Sequence, residues 1–420
     1  MVNKKLWFLF STVLFYANGI CALPQISVTD PFDVRFDNPK YKKTKWNIGL
    51  FAETSLGLDA RNEDAEKVNV MQLWQEKQNS LAMIKGYTSS ADIGTMQALF
   101  DSNGVSDDGI RGYFTPEGKM QWKDLVLAGR YELPYNFSVT VHVPFYFSKL
   151  DNVSWTEHTK NYATADGIVK DNLTNSFVAN VKKYGDGLDL EGWSRAGFGD
   201  VDAMIKWEKY FPQMKAWLKE VGINVKCGVT IPTGLKKDED SVLSVPFGND
   251  GSFGLVFGGG LGLRWLEHVV GGVQAEFMQQ FGNTKERRIK TNRNQTDLLL
   301  LTKANVRKSY GFSQHFTVHL GVEKFAGGLS ASIQYDHYRH DDDHVSVMDN
   351  VYSDSIANTA KSLEEWSLNT LQCNLEYDFG VHRAEEATLK PKISVFYRLP
   401  IKARQVVAGH FVGGQISFEF

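Results

Sequence analysis

From residue 45 to the C-terminus, apolar and polar positions alternate with a period of two. That is the signature of extended strands, whose successive side chains face opposite ways. The clearest stretch is 136–148, where Phe137, Val139, Val141, Val143, Phe145 and Phe147 stand against Ser138, Thr140, His142 and Ser148. Just before it, Leu125, Leu127, Tyr131 and Leu133 oppose Asp124, Arg130 and Glu132, and Pro134 with Asn136 marks a tight turn between the two strands. The same reading places strands near 45–58, 200–208, 223–231, 251–266, 268–281, 296–309, 314–338, 366–379, 389–400 and 405–420. In the last of these Val412, Gly414, Ile416, Phe418 and Phe420 share one face, and Gly413, Gln415, Ser417 and Glu419 share the other.

Connection lengths give an independent test. Short links at 134–136, 212–220, 267, 310–313 and 401–404 are interspersed with longer ones at 59–120, 149–198, 233–250, 282–295, 339–364 and 380–388. With 314–338 taken as a single strand bulged at Gly327-Gly328, the total is about twelve, in line with the even strand number of bacterial outer-membrane barrels. A soluble sandwich also alternates, with its apolar face turned inward. Two features favour lipid instead. The strands reach the roughly 9–11 residues of a tilted bilayer crossing. Aromatic rings, which belong at headgroup depth, sit near strand ends: Trp46, Trp122, Tyr131, Tyr135, Trp207, Tyr210, Trp265, Tyr310, Phe312, Tyr377 and Phe379. The expected fold class is therefore all-β, a transmembrane antiparallel up-and-down β-barrel occupying 45–420, with long external loops at 59–120, 149–198 and 339–364.

If the apolar face meets lipid, the other face lines a lumen. It would carry Glu53, Asp124, Arg130, Glu132, His142, Asp200, Asp202, Lys206, Glu208, Lys226, Glu276, Lys303, Arg307, Glu376, Asp378, Lys392 and Arg398. So many mixed charges inside a membrane barrel need hydration or pairing. A ring of about 8 strands is filled by its own side chains and one of about 16–18 leaves an open channel. Twelve implies a narrow or plugged pore for small solutes. In loop 59–120, Val68, Met71, Trp74, Leu81 and Ile84 fall at roughly helical spacing, followed by an apolar patch at Met96, Ala98, Leu99 and Phe100. Either a helix folds into the pore mouth as a gate or the loop covers the rim.

The N-terminus agrees with export. Lys4 and Lys5 precede an apolar run from Leu6 to Tyr16, and small residues follow at Ala17, Gly19 and Ala22, so 1–22 reads as a signal peptide. Segment 23–44 is then a periplasmic extension or plug. With 42% hydrophobic residues and a mean hydropathy of -0.30, no later run is apolar enough for a spanning helix. The net charge of -3 gives no nucleic-acid footprint. Cys227 and Cys373 lie among apolar strand residues and are expected as free thiols facing lipid.

Gly197-Phe198-Gly199-Asp200-Val201 opens one strand, Val225 to Ile231 forms another that ends in Pro232-Thr233-Gly234, and the glycine-rich run Gly251 to Trp265 follows. This order resembles the outer-membrane channel family associated with the meta-pathway of phenol degradation, a transporter-like barrel family. The resemblance covers about 197–265. It implies a twelve-stranded type of barrel and uptake of small solutes, often hydrophobic or aromatic. It carries over no catalytic residue. The C-terminal strand, with Ile416, Phe418 and Phe420, resembles the assembly signal that barrel-insertion machinery reads in outer-membrane proteins. The implied location is the outer membrane of a Gram-negative-type bacterium, and the implied partners are its lipid, that machinery and a small-molecule solute.

Other chemistry is thinner. His337, His340 and His344 with Asp341, Asp342 and Asp343 offer imidazole and carboxylate ligands, yet such loops are more often simply solvated, and no metal or other cofactor is expected. His142 shares a face with Ser138 and Thr140, but no Gly-x-Ser-x-Gly elbow accompanies them. Gly258-Gly259-Gly260-Leu261-Gly262 lacks the lysine of a phosphate loop and reads as a close-packed strand. The leading functional expectation is a passive channel rather than an enzyme. Its rivals are a surface structural protein or adhesin acting through the external loops, and an outer-membrane hydrolase.

Overall fold

The computed structural model describes residues 45–87, 90–349, 351–382 and 389–419. The expected signal peptide, the 23–44 segment and Phe420 lie outside the described residues. Twelve strands form one closed ring: β1 (Trp46–Arg61), β2 (Tyr113–Glu132), β3 (Phe137–Glu157), β4 (Val201–Pro212), β5 (Leu218–Ile231), β6 (Gly254–Trp265), β7 (Val269–Gln280), β8 (Phe312–Ala326), β9 (Leu329–His340), β10 (Trp366–Asp378), β11 (Lys390–Arg404) and β12 (Val406–Glu419). Each pairs antiparallel with its sequence neighbours, and β1 pairs with both β2 and β12, which closes the barrel and leaves it no open edge.

The count of twelve stands, but two of the expected strands do not. Segment 314–338 is not one bulged strand. Gly327 and Gly328, with φ of 58° and 108°, turn the chain so that Ala326 pairs with Leu329, giving β8 and β9. Segment 296–309 is no barrel strand. Leu298 to Leu301 are all buried among the external loops, and only Lys303–Ser309 is extended, in a small sheet with Asn283–Arg288 and His344–Val347. One strand gained and one lost preserve the even number.

The ring is apolar outside and polar inside. Leu127, Val225, Leu375 and Val395 are each more than half exposed, while Ser138, Thr140, His142 and Lys226 on alternate positions are buried. A soluble barrel would reverse this, because exposing so much apolar surface to water is costly. The protein is a transmembrane β-barrel. At the short-turn end, Trp46 packs on Tyr131 with ring centroids 4.6 Å apart, and Tyr135 is 87% exposed. Tyr135 and Asn136 both have positive φ (63° and 67°), the backbone that suits a tight hairpin link.

The longest connections lie at the opposite end, where β2 and β3, 20 and 21 residues long, exceed what a bilayer crossing requires. The loops there fold together into a cap. The 62–112 loop contributes α1 (Ser80–Lys85) and α2 (Ala91–Ser102), and the 158–200 loop contributes α3 (Thr164–Val169), α4 (Phe177–Tyr184) and a short strand Trp193–Phe198 paired to β3. The helix, one of two readings of Val68 to Ile84, is broken: Asn69 caps a 3-10 turn at Val70–Gln72, and Asn79 caps α1 by accepting from the Ala82 N–H at 2.9 Å. Met83, Ile84, Ile93, Leu173, Val181, Leu299 and Leu301 form the cap core and meet inward-facing Met120, Trp122, Tyr146 and Leu150 of the barrel wall. Fully burying side chains of this size stabilises by about 1.5–3 kcal/mol apiece.

Candidate functional site: a plugged polar lumen

The inner wall changes character along each tall strand. On β2 the inward positions run Phe114, Met120, Trp122, then Asp124, Val126, Ala128 and Arg130. The upper part is apolar and holds the cap, and the lower part is charged. Trp122, expected among the headgroup aromatics, instead turns inward and packs on Tyr146 (5.2 Å) and Phe247 (5.8 Å). Phe247 belongs to the 232–253 connection, which is drawn into the mouth by two anchors. Arg195 of the short strand beside β3 donates to the Ser244 hydroxyl (3.0 Å) and to the carbonyls of Val245 (2.9 Å) and Lys236 (2.7 Å). Asp200 accepts from the backbone N–H groups of Gly234 and Asn249. At Gly248, φ is 135° and a Cβ would stand 2.3 Å from the Asp200 carboxyl carbon, so this close approach requires glycine.

Below the cap, ion pairs run around the wall. Arg130 meets Glu132 at 2.9 Å and Glu208 at 3.7 Å, and Lys206 meets Glu208 at 3.1 Å. Lys226 meets Glu276 at 2.6 Å, and Arg398 meets Glu53 across the seam. Nearer the turn end, Lys392 pairs with Glu419 and Lys324 with Asp378. Pairing of this kind is what lets charges reside in a membrane-embedded interior. His315 and Asp336, 2.9 Å apart, and the Thr317 hydroxyl, which donates to the same carboxylate, belong to this wall too. They were hidden from sequence reading by the undivided 314–338 segment.

Of the expected lumen residues, Glu53, Asp124, Arg130, His142, Asp200, Lys206, Glu208, Lys226, Asp378 and Arg398 are buried, and Glu132, Asp202, Glu276, Glu376 and Lys392 are half-buried. Lys303 and Arg307 do not line the barrel, because their strand stands outside the ring, and Arg307 is exposed. The interior cation there is Lys308, one residue on. It pairs with Asp343 at 2.6 Å, and Asp343 also meets His340 at 3.1 Å. Burial works against both charges, but their mutual attraction wins, holding the Asp343 carboxyl low and the Lys308 ammonium high. In the same way burial raises the Asp250 carboxyl, yet Arg287 and Lys285 outweigh it and bring Asp250 down to about 2.

The histidines do not converge. His337 sits on the outward face of β9 against Asn369, His340 faces inward to Ser313 and Asp343, and His344 is exposed on the small outer sheet. Among the described residues no group of three His, Cys, Asp or Glu side chains is placed to hold a metal. Cys227 and Cys373 are free and exposed on the outer wall.

Between cap and wall lies a cavity of about 350 Å³, bordered by Trp122, Tyr146 and Trp74 above and by His142, Lys226, Glu276 and His315 on the wall. The indole N–H groups of Trp74, Trp122 and Trp366, all on its border, are buried without a hydrogen-bond partner. The arrangement defines a class: an outer-membrane-type β-barrel whose polar lumen is stoppered from the loop side.

No family model matches the chain, and no curated protein matches it. Solved structures do. An outer membrane channel from Pseudomonas putida F1 is 9% identical, with 92% of this chain and 100% of that chain covered and a TM-score of 0.47. The transport unit of the autotransporter AIDA-I from Escherichia coli is 9% identical over 92% of this chain and 93% of that one, with a TM-score of 0.35. The NanC porin is 7% identical over 73% and 98%, with a TM-score of 0.32.

Proposed function

We propose that the protein is an outer-membrane channel for passive uptake of small solutes, shut in this state by its folded external loops. The observation that carries the reading is the cavity itself. A barrel built only for structure would fill its interior, whereas here a space of about 350 Å³ remains between an aromatic ceiling and a charged, hydrogen-bonding wall. The mixed, mostly paired charges of that wall favour small solutes over a strong selection for ions of one sign. Trp74, Trp122 and Tyr146 offer ring faces to the apolar part of a solute, so hydrophobic and aromatic compounds belong in the test panel alongside sugars and amino acids. The final strand, with Ile416 turned outward, serves as the signal to insertion machinery, and bilayer lipid is the partner of the outer wall.

The test is conductance of refolded protein in planar bilayers, with liposome swelling over the solute panel. The intact protein should conduct weakly, and a form whose 62–112 loop is replaced by a short Gly-Ser link should conduct at least tenfold more. A folded, loop-shortened barrel that passes neither ions nor solutes would overturn the proposal.

A further inference from the structure

β6 has almost no side chains on its inner face. Its inward positions are Gly254, Val256, Gly258, Gly260, Gly262 and Arg264, flanked in register by residues of β5 and β7. Lys226 and Glu276 flank Gly258 and bridge over it at 2.6 Å. One step down, Asn224 and Gln274 flank Gly260, and below them Gly222, Gly262 and Gly272 stand side by side. The result is a trough covered by its own polar rails: Lys226 and Glu276 meet over Gly258, and Asn224 and Gln274 lean over Gly260, while Lys226, Gln274 and Glu276 face the cavity. It cannot be narrowed cheaply: a Cβ on Gly258 would lie 2.4 Å from the Ala275 carbonyl, and one on Gly260 would lie 2.7 Å from Gln274 Cγ.

One rail is unsatisfied. Asn224 is only 2% exposed, its neighbours Ile223 and Val225 face lipid, and both its amide nitrogen and its amide oxygen lack a hydrogen-bond partner. Buried polar groups left unpaired on both atoms are rare and call for an occupant. Lys226, Gln274 and Glu276 beside it border the cavity.

We infer that this trough is the solute subsite of the channel and that it takes a neutral polyhydroxyl solute. A hydroxyl donates to the Asn224 oxygen and accepts from its nitrogen, which neither an apolar ring nor a single-sign ion does. The Lys226–Glu276 pair is neutral overall and supplies a second donor and acceptor. It lies two residues along β5, about 6–7 Å away, so vicinal hydroxyls on a short carbon chain span both. The cavity that Lys226, Gln274 and Glu276 border admits the chain, and its aromatic ceiling packs the C–H face.

This rests on the channel reading, so the experiment separates the two. Saturation-transfer difference NMR of detergent-solubilised full-length protein is run with sorbitol, with sodium benzoate as comparator, on wild type and Asn224→Leu, folding being checked by heat-modifiable gel mobility. Sorbitol signal in wild type, weakened at least fivefold in Asn224→Leu, supports the subsite. Equal sorbitol signal in both proteins, or benzoate signal with none from sorbitol, overturns it. If Asn224→Leu does not fold, Gln274→Leu carries the same test. Absent current in the loop-shortened barrel would refute the channel reading alone, because the NMR arm needs no transport.

Discussion

Arg398 on β11 and Glu53 on β1 form an ion pair although β12 runs between their strands. Phe411 of β12 lies beneath the guanidinium at 4.8 Å from its ring centre, and Asp124 on β2 accepts from the Glu53 backbone N–H at 3.2 Å. The two sides of the closing strand are thus fastened over its inner surface as well as through its hydrogen bonds. Removing the cation alone leaves two acidic groups in a nearly dry wall. Arg398→Ala is expected to cost about 3–5 kcal/mol in urea unfolding of the detergent-solubilised protein. Pairing it with Glu53→Gln should recover part of the loss.

A second fastening sits beside the first. Phe396 of β11 stacks on Phe51 of β1 at 5.3 Å and 11°, and reaches it only because Gly413 of β12 has no side chain. A Cβ there would stand 2.2 Å from the Phe396 ring. Gly413→Val should therefore destabilise the barrel by about 1–3 kcal/mol through overpacking. Gly414→Ala, whose new carbon would lie 3.1 Å from the nearest atom, the Ser394 carbonyl oxygen, should be milder in the same unfolding assay.

The direction of the apolar face can be tested by charge. Val225→Lys on the outer wall should cost about 2–4 kcal/mol at bilayer mid-depth, as a cation does on the lipid face of such barrels. Ser394→Lys, at an inward position, should cost clearly less. Equal penalties at the two sites would contradict the assigned faces.

The cap responds to acid through Asp250. Its carboxyl titrates near 2 in the folded protein against 3.8 ordinarily, because Arg287 and Lys285 more than offset its burial. A depressed acid stabilises the fold above its ordinary value, and that contribution, on the order of 2 kcal/mol, is lost as pH falls from about 4 to 2. Limited proteolysis of the 232–253 connection should accelerate over that window, and Asp250→Asn should reduce the pH dependence, leaving the part due to Glu239 on the same cations, while lowering protection at neutral pH.

Asp342 has the opposite sign. Burial, then Glu365 and Asp341, raise its carboxyl to about 6. A raised acid favours the folded loop while protonated, so its contribution declines as pH climbs from 3.8 through 6. Asp342→Asn should reduce the pH dependence of protection of the 341–365 loop in that range, leaving the part due to Asp341, which burial also raises, as read by hydrogen exchange.

The strand pattern was open to sequence reading because lipid on one side and water on the other force a period of two. Most of the wall charges, Glu53, Arg130, Lys206 and Lys226 among them, follow from that period directly. What escaped did so for local reasons. The β8–β9 link consists of two glycines with no polar flank, so alternation runs through it and conceals His315, Thr317, Gln334 and Asp336. Leu298 to Leu301 mimic a strand, yet four consecutive buried leucines have no outward face, and their burial comes from loops distant in sequence. Trp122 carried a signal that was missed: the inward face of β2 changes from Asp124 to apolar Trp122 and Met120, while the outward face changes from Leu127 and Leu125 to Lys123, Gln121 and Lys119, so the two faces exchange character where the strand meets the cap.

The first and last strands, more than three hundred residues apart in the chain, zip together from Asn47–Glu419 to Arg61–Val406. Phe411 and Val407 of that final strand also complete the floor on which the external loops rest. A partly inserted chain therefore has neither a sealed circumference nor a seated stopper. One segment thus seals the wall and seats the stopper together.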